Sequence, residues 1–227
     1  VLLNTPTYST FYSNIRFAQN VAEENTMRLI GGRYEIDWED FELRARRSKV
    51  FILCNPQNPT GNCWSAEDMT RMGEICLEHG TVIFSDEIHC DFVREGEVFT
   101  PFASLPNHEV VANSITFRAA SKTFSIAGMK AAWYFSTNPS LLERVRANTR
   151  ADLNTLAKEA VFAALTEGDE WFNQLSPYID ANHDFAEREI STRLEGINCN
   201  NAQGTYLAWL DVRDFSEAID AAGIAAN

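Results

Sequence analysis

Lys122 stands in the run Ser121-Lys122-Thr123-Phe124-Ser125-Ile126-Ala127-Gly128, and from Ala119 to Ala132 the only other charge is Lys130. Small and apolar neighbours can bury a lysine far enough to keep its amine partly neutral. A neutral amine attacks an aldehyde and holds it as an imine. Two further stretches are suited to hold the ring of such an aldehyde: Asn55-Pro56-Gln57-Asn58-Pro59-Thr60-Gly61 and Ser85-Asp86-Glu87-Ile88-His89. The aldehyde they suggest is pyridoxal phosphate.

Each side chain has a chemical reason to be there, and a plainer alternative. Lys122 would form the imine and shuttle a proton once substrate displaces it; alone, it reads as an ordinary loop lysine. Asp86 would face the pyridine nitrogen and keep it protonated, so that the ring absorbs carbanion electrons. The competing reading is a turn cap after a strand. Asn58 would donate to the ring's phenolate oxygen. Pro56, Pro59 and Gly61 would fix its loop so that the amide points one way; the alternative is a plain proline-rich turn. His89 could reach the same oxygen or the imine region, or be a satisfied, partly buried histidine. Ser121 and Lys130 offer the phosphate a hydroxyl and a point charge. Tyr8, after Thr5-Pro6-Thr7, could stack on the ring face, with core packing as its competitor. Glu87 reads as structural, and His79, His108 and His183 as surface or cap residues.

These groups need a scaffold that brings them together. Residues 1–3, 27–30, 49–54, 81–85, 110–116 and 131–136 read as short strands. Helices are expected over 10–22, from Asp37 to about Arg47, and from Ser65 to His79, the last with a capping-box start. Strand, helix, strand with short connections predicts an α/β fold with a mainly parallel sheet covered by helices. In such sheets ligands lie beyond the carboxyl ends of strands. Asn55–Gly61, Asp86–His89 and Ser121-Lys122 all follow strand ends. Helices are then expected over 139–149, 153–167 and 169–194, a strand over 205–212 and a helix from Ser216 to Ala222. The organisation predicted is a large domain over 1–170, a linking helix over 171–194 and the start of a small α+β domain over 195–227.

With 227 residues, 45% of them hydrophobic, the chain can bury a sizeable core. Its net charge of −13 argues against nucleic acid or an anionic membrane surface as partner. The five cysteines are odd in number and lack metal-site spacing, which fits reduced thiols in a cytoplasm. No apolar run approaches the roughly 20 residues of a membrane helix. The chain opens on a strand and stops without a closing element, so both ends are expected to be cut.

Together, TPTY (5–8), FILCNPQNPTG (51–61), FSDEIHCDF (84–92), SKTFSIAG (121–128) and GTYLAWLD (204–211) resemble the class I/II aminotransferase-like family of fold type I, and most closely its cystathionine β-lyase and carbon–sulfur lyase branch. The resemblance implies a three-layer, pyridoxal-phosphate-binding large domain and a homodimer acting on a small amino acid. It implies Lys122 as the imine lysine, Asp86 as nitrogen partner and Asn58 as phenolate partner. Tyr8 maps to ring stacking, and Ser121 and Lys130 to phosphate contact. His89 stands where typical aminotransferases carry tyrosine. Ala119 and Lys130 depart from the family's usual serine and arginine. The family's upstream phosphate loop and its substrate-carboxylate arginine have no counterpart in the sequence. The expected activity is carbon–sulfur β-elimination to thiol, pyruvate and ammonia. The alternatives are transamination and a truncated, non-catalytic homologue.

Overall fold

The segments VFILC (50–54), VIFSD (82–86) and SITFR (114–118) form adjacent strands of a sheet of six. The computed structural model describes residues 1–149 and 152–216. In chain order the elements are β1 Leu2–Thr5, α1 Thr10–Phe17, β2 Glu23–Thr26, β3 Arg28–Ile30, β4 Arg33–Glu35, α2 Trp38–Ala45, β5 Val50–Cys54, α3 Ala66–Glu78, β6 Val82–Asp86, α4 His108–Ala112, β7 Ser114–Arg118, β8 Trp133–Phe135, α5 Pro139–Asn148, α6 Thr155–Glu167, α7 Asp169–Arg193, β9 Asn198–Cys199, β10 Leu210–Asp211 and α8 Arg213–Ser216.

The sheet order is β2-β1-β5-β6-β7-β8, parallel throughout except that β8 runs antiparallel to β7 at one edge. Register puts Cys54 beside Asp86, and Asp86 beside Phe117, so three strands end level with one another. One sheet face is dry. Phe51, Leu53 and Ile83 pack there with Phe41, Met69 and Met72 of α2 and α3. Phe41 meets Phe51 edge-on at 5.0 Å. Each such buried side chain contributes about 1.5–3 kcal/mol. On the other face Val50, Ile52, Phe84 and Phe117 are half-buried. Together with Phe11 and Ile15 of α1 they line a trough of about 480 Å³ that reaches Asp86 and Ile88.

Several sequence expectations are corrected. The helix expected over 10–22 ends at Phe17, because Gln19 adopts a left-handed φ of 55° and the next residues pair with β1 as β2. The strand expected over 110–116 begins at Ser114. Asn107 accepts from the backbone N–H groups of Glu109 and Val110 and starts a helix there, with Val110 and Val111 buried on it. An apolar run alone does not separate those outcomes. Of residues 205–212, only Leu210–Asp211 pair, antiparallel to β9. The helix read from Ser216 onward lies, beyond Ser216, outside the described residues. Among the described residues no helix is long and apolar enough to cross a membrane. All five cysteines are free thiols.

Candidate active site

The loop after β5 is pinned on three sides. Asn55 is fully buried; its N–H donates to the Asp86 carbonyl at 2.9 Å and its amide to the Thr100 carbonyl at 3.1 Å. Gln57, 1% exposed, donates from Nε2 to the carbonyls of Asn4 at 3.0 Å and Pro6 at 2.9 Å. One side chain thus fastens the loop to the end of β1 and to the segment that carries Tyr8. Gly61 sits at φ +77°, and a Cβ there would lie 2.5 Å from that of Ala202, so no larger residue fits without a shift. Its carbonyl accepts from the N–H groups of Gln203 and Gly204, both at 2.9 Å. Thus held, Asn58 brings its Nδ2 to 3.4 Å from His89 Nε2.

Asp86 ends β6, and Oδ1 accepts from the Ile88 N–H at 3.2 Å. Burial pushes its carboxyl up to about 6, with the Ile88 N–H and the Lys122 charge opposing. Among the described residues no cation forms an ion pair with it. His89 is 2% exposed. Burial first, and the Lys122 charge second, push its imidazole down to about 4. The ring is therefore neutral near pH 7. With Asn58 donating to Nε2, the ring proton rests on Nδ1, which is buried and has no hydrogen-bond partner among the described residues. Tyr206 covers the ring, with centroids 5.3 Å apart.

Lys122 is half-buried rather than enclosed. A tight turn wraps it, closed by Phe124 N–H to Ala120 O at 3.0 Å and Ile126 N–H to Ser121 O at 3.2 Å. Its charge acts on both Asp86 and His89. The structure therefore groups Lys122, Asp86, His89 and Asn58 at the carboxyl ends of β5, β6 and β7. Ser121 shares the Lys122 turn and is half-buried. Lys130 is exposed, at φ 55°, where it ends a short 3₁₀ turn. Tyr8 is 37% exposed, with its ring edge-on to Phe11 at 5.5 Å.

The sequence reading missed several residues. Gln57 was given no role. Tyr206 gave no sign of facing His89. His183, read as a surface or cap residue, is 5% exposed and its Nε2 lies 3.1 Å from the Thr205 carbonyl. Glu87 was not missed: read as structural, it holds Arg118 from full burial.

Asp86 and His89 affect stability with opposite signs. Asp86 binds its proton more tightly folded than unfolded, so its contribution is present at low pH and is lost as pH rises from about 4 to about 6. His89 binds its proton more weakly folded, so stability falls as pH drops from about 6.5 to about 4. In the parent chain the two slopes oppose over that window. Asp86→Asn is expected to steepen the loss of stability on acidification, and His89→Gln to steepen the loss on raising pH from 4 to 6. Urea midpoints against pH check this; variant curves parallel to the parent's contradict it.

A parallel sheet whose strand ends gather a lysine, a partly buried carboxylate and an amide–imidazole pair defines the α/β class that handles a ligand at the carboxyl edge. The sequence profile of aminotransferase class I and II matches residues 1–225. Cystathionine beta-lyase PatB of Bacillus subtilis is 38% identical over 93% of this chain and 56% of its own length. The pyridoxal-phosphate-bound C–S lyase of Staphylococcus hominis superposes with a TM-score of 0.90 at 31% identity, over 96% of this chain and 56% of that one. Cystalysin of Treponema denticola, a structure that contains pyridoxal 5'-phosphate, gives 0.89 at 28% identity, over 95% and 56%. The chain belongs to the aminotransferase class I and II family. It spans a little over half the length of these relatives, 56% in each case.

Proposed function

We propose that this chain carries the pyridoxal phosphate site of a carbon–sulfur β-lyase acting on a small sulfur-containing amino acid. The supporting observation is the convergence of Lys122, Asp86, Asn58 and His89, with the Lys122 charge felt by both Asp86 and His89. The group fits this donor set. A partly buried carboxylate without a cation partner suits a protonated ring nitrogen. The Asn58 amide against His89 Nε2, and the buried Nδ1 of the same ring, without a partner among the described residues, offer donors suited to a ring oxygen.

When bound, the cofactor supplies an aldehyde and an electron-withdrawing ring. Lys122 holds the aldehyde carbon, and its freed Nζ accepts the proton from the substrate's Cα and can return it. Asp86 holds positive charge at the ring nitrogen and is itself ionised more readily with that cation opposite. Asn58 and His89 orient the ring oxygen, and Tyr8 covers a ring face. Ser121 and Lys130 take the phosphate, the latter as a point charge. The same residues would serve transamination, which begins with the same proton. The family's breadth keeps that as the second reading.

Cytoplasmic placement is supported by the five free thiols. Pairing with a second copy is supported by Leu156, Phe162 and Leu165 on α6, at 74%, 65% and 54% exposure. A chain saturated with cofactor and given cystathionine is expected to release pyruvate and ammonia without an added keto acid. Amino transfer to a keto acid with no pyruvate from cystathionine favours the second reading. Neither product marks a non-catalytic chain.

A further inference from the structure

We propose that Thr123 and Asp91 form a clamp that positions Lys122 against Asp86 and His89; the proposal rests on the cofactor reading of Lys122. Thr123 follows the lysine directly and is 2% exposed. Its hydroxyl donates to Asp91 Oδ2 at 2.6 Å, across a sequence separation of 32 residues. Asp91 lies two residues beyond His89, on the segment that begins at Asp86. One charge-assisted hydrogen bond therefore crosses from the Lys122 turn to the chain that carries its two electrostatic partners. The turn needs such a tie. Ser125 within it adopts a left-handed φ of 55°, which costs a non-glycine residue energy and persists only where surroundings hold it. Its backbone closure, through Ala120 and Ser121, is internal to the turn and fixes shape, not position. Asp91 also accepts from the Cys90 thiol at 3.5 Å through its other oxygen, which orients the carboxylate toward the threonine.

Thr123→Val keeps shape and removes the donor. Asp91→Ala removes the acceptor at an exposed position. Thr123→Ser keeps the hydroxyl. With the 227-residue chain and pyridoxal phosphate, borohydride fixation on Lys122 is followed by peptide mass spectrometry, and the absorbance of bound cofactor is titrated with pH. Thr123→Val and Asp91→Ala are each expected to slow fixation about tenfold and to shift the absorbance midpoint, with the double variant no worse than either alone. Thr123→Ser is expected to restore both readouts. A parent-like Asp91→Ala, additive losses in the double variant, or a Thr123→Ser as impaired as Thr123→Val overturns the clamp while leaving the role of Lys122 standing. A parent chain that takes no label on Lys122 overturns that role, and the clamp with it.

Discussion

Lys122→Ala is expected to stay colourless in excess pyridoxal phosphate and to take no label on borohydride treatment, while the parent chain turns yellow and is fixed stoichiometrically at residue 122. Covalent capture requires the amine itself, so the loss is complete rather than graded. The fold is expected to survive. Lys122 is half-buried in a turn closed by backbone bonds, so the substitution removes no packed core atom. The other lysines do not stand beside Asp86 and His89 in this way, and Lys130 lies exposed at the end of its own turn. Absorbance and mass spectrometry read the outcome directly. Label appearing on another lysine in the variant would contradict the assignment.

Arg118→Ala is expected to destabilise the chain by about 3–5 kcal/mol, because it leaves a buried carboxylate without its cation. The Glu87 side chain is 0% exposed. Its Oε1 accepts from Ser85 Oγ at 3.1 Å and the Phe102 N–H at 2.8 Å, and its Oε2 from Arg118 Nε at 3.0 Å and Nη2 at 2.7 Å. Four donors on one carboxylate join the ends of β6 and β7 to the Phe102 turn, one residue from Asp86. Removing both charges together, as Glu87→Gln with Arg118→Met, is expected to cost clearly less than Arg118→Ala alone. Urea unfolding measures both. A single-variant loss below about 1 kcal/mol, the level of an exposed pair, would show that water already screens this one.

How far the sequence revealed this arrangement depends on the kind of contact. Strand cores such as VFILC and VIF were legible because short β-branched and aromatic apolar runs are bounded by turn signals. Asp37 and Ser65 were legible as helix starts, and each accepts from the N–H three residues on. The run at 110–116 was not, since two valines can be buried on a helix or a strand and a single Asn107 side chain decides. At the site, the motifs suggested a chemistry and their strand-end positions predicted that Lys122, Asp86, His89 and Asn58 converge. The supports were hidden. Gln57 and Thr123 work through partners 51 and 32 residues away, and no local pattern announces them. Tyr206 reaches His89 only through a turn in which Thr205, a β-branched residue, holds φ 69°.

The contact of Gly61 with residues 202–204 has a consequence for synthesis. The loop that carries Asn58 is closed against chain some 140 residues downstream, as the Gln203 side chain on the Cys63 N–H also shows. At about 5–20 residues per second, a ribosome needs about 7–30 s to make that stretch. Throughout that wait the nascent loop lacks its outer wall and has only the Asn55 and Gln57 contacts to hold it. Ordering of this loop is thus expected to come late in the life of the polypeptide, with the arrival of a short downstream segment.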